Sequence, residues 1–208
     1  MYNILLACDI NYYNKWGIMC IKSIRHFNPW LSITVVIVNS TDVEKIPNVK
    51  YVFDNGPNTV PYLQAVRFLK CYELFQDKKH VMSIDCDTIC TKSFSVESFV
   101  DLTKNVSILK HHKENRWLAG LVTYGDFNFR KQFKEKLLEL PLDQWEYGWD
   151  QTVLNQLDGE FKFKEVLSSE WMSFGKVNGN FLTLKGDQKT TLKYLKNYNK
   201  IIETANVQ

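Results

Sequence analysis

An α/β fold, with a mostly parallel central sheet flanked by helices, is the architecture this sequence predicts. Three observations carry it. Strand-like and helix-like stretches alternate through the first half of the chain, as βαβ units do. Val35-Val36-Ile37-Val38 is apolar without interruption, as a strand covered on both faces requires. The 208 residues, 45% hydrophobic and 14% aromatic, supply enough apolar surface for a sizeable core.

The elements follow in order. A buried strand is expected over residues 3–8, then a helix from about 13 to 27, stopped by Pro29. The second strand covers 32–38. A second helix starts at Pro61, whose missing amide proton is harmless in a first turn. Its apolar residues Ala65, Phe68, Leu69, Tyr72 and Phe75 recur at helical spacing, and Arg67 lies off that stripe, free for another task. Residues 81–84 read as a short buried strand ending at Asp85. Further strands are expected over 106–109 and 121–124. A helix carrying Phe129, Phe133, Leu137 and Leu140 ends before Pro141, and another spans 150–157. The tail offers a strand over 181–184 and a last helix from about 191 to 202. No repeat or Pro/Gly/Ser linker intervenes, so one domain over 1–208 is expected.

Composition excludes some partners. Lys plus Arg (26) barely exceeds Asp plus Glu (23), so no global field points to nucleic acid. The basic stretch 185–200 alternates with apolar residues, as the solvated face of a helix does. The apolar run 4–8 is too short for a signal peptide core or a membrane span. Five scattered cysteines without a CxxC pair read as buried free thiols in a reducing compartment, and a cytoplasmic location is expected.

The chemistry centres on Val81-Met-Ser-Ile-Asp85-Cys-Asp87-Thr88. Two carboxylates one residue apart on an extended backbone project to the same side. They close an apolar strand, and in open parallel sheets ligands collect at the carboxyl ends of strands. Such a pair suits a hard cation, Mn²⁺ or Mg²⁺, shared with substrate phosphates. The cation would offset charge on a nucleoside diphosphate leaving a sugar carbon. The alternative for Asp85 and Asp87 is a pair of turn caps.

A hydrophobic strand followed by Asp-x-Asp also resembles the haloacid-dehalogenase-like phosphatases, whose first Asp is the nucleophile. That pattern departs here at Ile89 and in the roughly eighty residues before Asp85.

A broader resemblance covers residues 3–189. Ala7-Cys8-Asp9-Ile10-Asn11-Tyr12 is similar to the opening of glycosyltransferase family eight, the retaining galactosyltransferase and glycogenin-like family. The resemblance implies a GT-A (Rossmann-like) fold and a metal-dependent transfer of a hexose from a UDP-sugar, with Asp85 and Asp87 holding the metal. It further implies that Asp9 and Asn11 hydrogen-bond the uracil and Tyr12 stacks on it. Arg67 would link donor sugar or phosphate to Asp85. Ala119 and Gly120 would let the sugar approach the backbone, although Leu118 stands where the family carries Asn. In Trp149-Asp150-Gln151-Thr152-Val153-Leu154-Asn155, Asp150 would contact donor hydroxyls and Gln151 would lie beneath the anomeric carbon. Gly186 and Lys189 match the closing segment, with Lys189 on the diphosphate. Thr183 replaces that segment's metal-binding His. The acceptor, a carbohydrate or other hydroxyl compound, stays unnamed. A nucleotide-sugar or carbohydrate-binding module on the same fold is the non-enzymatic alternative. His111 and His112 could face an acceptor or solvent. Of Trp117, Trp145, Trp149 and Trp171, at most one is expected to touch sugar.

Overall fold

The computed structural model describes residues 2–166, 170–174, 178–183 and 191–205, except the side chains of 191–194 and 204–205. Strand β1 (Tyr2–Asp9) runs into a helical turn, α1 (Ile10–Tyr12), a wide π turn over Tyr13–Gly17, and helix α2 (Ile18–Phe27). The helical region thus begins three residues before the expected point. The reason is local: the Asp9 carboxylate accepts the Tyr12 amide at 2.7 Å and caps the turn.

Strands β2 (Ser32–Val38) and β3 (Val49–Asp54) pair parallel on one side of β1. Helix α3 (Val60–Leu74) then carries the chain back, and β4 (His80–Ile84) pairs parallel on the other side of β1. The boundary between β1 and β4 is therefore a topological switch point, where a crevice opens beyond the strand ends. After a tight turn comes β5 (Thr88–Cys90), followed by α4 (Val96–Thr103), β6 (Ser107–His111) and β7 (Arg116–Thr123). Helices α5 (Phe127–Leu137) and α6 (Trp149–Gln156) lead to β8 (Lys164–Val166), β9 (Met172–Phe174), β10 (Phe181–Thr183) and α7 (Thr191–Ala205). The main sheet has seven strands in the order β3-β2-β1-β4-β7-β6-β8, with β7 antiparallel to its neighbours, and β5-β10-β9 form a small second sheet.

Both faces of the main sheet are covered. Ile33, Val35 and Ile37 of β2 pack with Cys20, Ile21 and Ile24 of α2, while Val36 and Val38 pack with Ala65, Val66 and Phe68 of α3. This is why the Val-Val-Ile-Val run shows no alternation. The four tryptophans are mostly core, as expected: Trp117, Trp145 and Trp171 are buried, and Trp149 packs against the α3 side of the core. His112 pairs with Glu165 at 2.8 Å in solvent.

Two features differ from expectation in ways that shape the site. Asp85 and Asp87 do not lie on extended backbone. They occupy a turn in which the Thr88 amide donates to the Asp85 carbonyl at 3.2 Å. Strand β7 is eight residues long, and its pairing with β6 jumps from Ile108–Val122 to Leu109–Leu118. Ala119, Gly120 and Leu121 thus bulge from that ladder, and bulges commonly re-aim residues beside a site.

Candidate active-site cleft

A cleft of about 1250 Å³ lies beyond the carboxyl ends of β1 and β4. The β4–β5 turn supplies Asp85 and Asp87, the start of the first helical region supplies Asp9 and Tyr12, and α3 supplies Arg67. The β7 bulge adds Ala119 and Gly120, and α6 adds Asp150 and Gln151. Residues from five separate segments of the chain meet there. Asn11 does not: it is exposed and outside the lining. Gly186 and Lys189 lie outside the described residues.

Arg67 ties two of these segments together. It is only 6% exposed, and the task it takes up is the contact with Asp85 that the resemblance implied. Its Nη1 donates to Asp85 Oδ1, and its Nη2 lies 3.7 Å from Asp150 Oδ2. Burial works against its charge, but Asp85 and Asp150 outweigh that and hold the guanidinium's pKa above its ordinary value. Asp150 does not cap its helix. Gly148 does, at φ +79°, a conformation glycine adopts without strain, and Asp150 sits in the first turn aimed inward. Burial raises the Asp150 pKa, and Arg67 only partly offsets this.

Asp87, 5% exposed, accepts a hydrogen bond from the Tyr12 hydroxyl at 2.6 Å. Burial, then the Asp87 charge, push the Tyr12 phenol far above its usual range, so it stays a donor. Gly120 matters through its missing side chain. Its carbonyl accepts the Asp85 amide at 3.2 Å, and a Cβ there would come within 3.2 Å of Asp85 Oδ2. The bulge therefore seats the Asp85 carboxylate, in addition to any room it leaves for a ligand. Thr183 also lines the cleft, because β10 pairs Thr183 with Thr88, next to Asp87. Asn155 holds the architecture: its side chain exchanges hydrogen bonds with the backbone of Trp117 at 2.9 and 3.2 Å.

The lining has an excess of negative charge. Among the described residues Asp9, Asp85, Asp87 and Asp150 face only Arg67 and Arg116. Two carboxylates in one turn, with oxygen donors from a ligand, fit a hard divalent ion. No cluster of three or more His, Cys, Asp or Glu side chains suited to a metal occurs among the described residues.

Sequence reasoning missed the rim. Tyr147, 80% exposed, lines the cleft together with Phe174, Val60 and Arg116. The run Trp145-Glu-Tyr147-Gly148-Trp149 beside the Asp150-Gln151 pair was the available signal.

No protein-family model matches the sequence, and no curated protein matches it significantly. Solved structures do match. A galactosyltransferase, LgtC, in complex with donor and acceptor sugar analogs shares 14% identity at a TM-score of 0.67, over 97% of this chain and 95% of that one. The glycosyltransferase GlyE of Streptococcus pneumoniae TIGR4 matches at 14% and 0.64, over 98% of this chain and 63% of its own. The bifunctional glycosyltransferase WbbM matches at 14% and 0.66, over 97% of this chain but only 49% of its own length. At this identity the likeness establishes the fold. The chain has the GT-A fold of these glycosyltransferases.

Proposed function

We propose that this chain is a glycosyltransferase that moves a hexose from a UDP-sugar to a hydroxyl acceptor, with Mn²⁺ or Mg²⁺ held by Asp85 and Asp87. One observation supports it above others. In a GT-A fold, the two acidic residues of the motif, Arg67, Asp150 and Tyr12 converge on one cleft at the switch point. When bound, the divalent cation offsets the diphosphate's charge as it leaves.

The chain's own residues do the rest by positioning. Tyr12 and Asp9 face the nucleoside side of the cleft. Arg67 fixes Asp85 and Asp150 relative to each other, and Asp150 and Gln151 meet the donor sugar. Asp150 lies 3.7 Å from Arg67, and its proposed role is to orient the donor, not to act as the general base of an inverting reaction. Retention, the family-eight outcome implied by the resemblance, fits that arrangement. The acceptor then crosses the Tyr147 and Phe174 rim, whose aromatic faces suit a pyranose ring. Five buried free cysteines fit a reducing compartment, and no helix among the described residues is long and apolar enough to cross a membrane.

Two other readings make different predictions. The phosphohydrolase reading needs Asp85 as a nucleophile, but the matched folds are glycosyltransferases and Asp85 is held by Arg67. The hydroxyl of Thr183 beside Asp87, a poorer ligand than imidazole, favours a binding module. The test is UDP release from UDP-glucose and UDP-galactose with Mn²⁺ or EDTA, for the native chain and Asp87→Ala. Metal-dependent release lost in Asp87→Ala supports the transferase. Tight UDP binding without metal-dependent release supports the module, and absence of UDP binding ends the donor reading.

A further inference from the structure

Resting on the donor reading above, we propose that the Tyr12 hydroxyl is a positioning group for the metal-binding carboxylate Asp87, so that one side chain serves base and metal together. The family resemblance gives Tyr12 only a ring, for stacking on uracil. The structure shows what its hydroxyl does. It donates to Asp87 Oδ2 at 2.6 Å across 75 residues of sequence, a short bond to an ionisable acceptor. Tyr12 is itself held at two points: its backbone amide donates to Asp9 Oδ1, and its ring meets Trp16 edge-on at 6.5 Å between centroids. Tyr12 thus bridges the strand β1 tip and the β4–β5 turn, with its backbone amide on Asp9 and its hydroxyl on Asp87.

A carboxylate in a turn can rotate about its side-chain bonds, and restricting that rotation before a cation arrives removes an entropic cost from binding. The phenol restricts it on Oδ2. This matters more here than in a site with a third strong protein ligand, because a threonine, Thr183, occupies the neighbouring position on β10. The ring and hydroxyl of Tyr12 therefore have separable effects.

Tyr12→Phe keeps the ring and removes the hydroxyl. Uridine binding measured calorimetrically in EDTA reads the ring, and Mn²⁺ binding to the UDP-saturated protein, followed by the spin-resonance signal of free Mn²⁺, reads the carboxylates. Tyr12→Phe is expected to leave uridine affinity within about twofold while weakening Mn²⁺ on the order of tenfold. Tyr12→Leu loses both. In an Asp87→Asn background, adding Tyr12→Phe changes Mn²⁺ affinity no further. Unchanged Mn²⁺ affinity in Tyr12→Phe, or a further loss of it in the Asp87→Asn background, overturns the proposal. Failure of the native chain to bind uridine or Mn²⁺ with UDP is a different result, and it removes the donor reading itself.

Discussion

Helix α3 carries two cations three residues apart, each set between two acids, and the two arrangements have opposite consequences. Lys70 lies 2.9 Å from Asp54 and 2.8 Å from Glu73, and Lys134 reaches Glu73 at 3.2 Å. Asp54 also accepts from the Tyr62 hydroxyl at 2.7 Å and the Gly56 amide at 2.8 Å. Burial tends to raise the pKa of both acids, yet these hydrogen bonds win and lower it. Arg67 has the same pattern of partners in a drier place. There Asp150 is 3% exposed, the guanidinium is 3.7 Å away, and burial wins. The Lys70 cluster stabilises the fold modestly. The Arg67 cluster opposes stability at Asp150 and fixes geometry in the cleft, as functional sites often do.

The largest test of this contrast is to delete each cation. Arg67→Ala leaves two acids without their shared partner and is expected to cost about 3–5 kcal/mol in chemical denaturation. Lys70→Ala, part-exposed and screened by solvent, should cost at most about 1 kcal/mol. Similar losses at both sites would break the comparison.

Gly120→Ala comes next. Its backbone has no positive φ, so stability should hold, while Asp85 must yield to the new Cβ. Mn²⁺ affinity in the presence of UDP should fall on the order of tenfold. A full-affinity variant would show that Asp85 need not sit against the bulge.

The pH dependence has opposite signs at the two clusters. Because the folded pKa of Asp150 is raised, its contribution to stability is present below the unfolded value of about 3.9 and is lost as pH rises through the folded value. Asp150→Asn should therefore unfold at an equal or higher denaturant midpoint at neutral pH, while turnover drops. The folded pKa of Asp54 is lowered, so its contribution is present above about 3.9 and disappears as pH falls through the folded value. Asp54→Asn should lose at most about 1 kcal/mol at neutral pH, a difference that vanishes in acid. Denaturation midpoints measured from pH 3 to 8 decide both.

The smallest expected effect is on the rim. Tyr147→Ala should raise the acceptor KM severalfold without moving the donor KM, since a stacked ring contributes roughly 1 kcal/mol. A change in donor KM instead would put Tyr147 on the nucleotide side.

Much of this was legible in the chain. The doubly covered strand β2, the helix opened near Pro61 and the acidic pair closing β4 all announce themselves through local pattern, although the turn that holds the pair does not. Strand β3 and helix α4 did not: β3 is an edge strand, mostly half-exposed, and α4 is eight residues held by the Ser95 cap. β5, β8 and β9 are three residues each, too short for periodicity to register.

By itself the sequence determined which chemical groups are present and in what order: Asp9 and Tyr12 after one strand, Arg67 on a helix, Asp85 and Asp87 after another strand, Asp150 and Gln151 on a later helix. Tertiary structure alone decided what each of them touches. Strand register sets Thr183 opposite Thr88, the β7 bulge brings Gly120 under Asp85, and packing adds Asp150 to the Arg67–Asp85 pair. The physical reason is range. Periodicity and capping act over a few residues, whereas the Tyr12–Asp87 and Arg67–Asp150 contacts join groups that only packing of the sheet and its helices brings within reach.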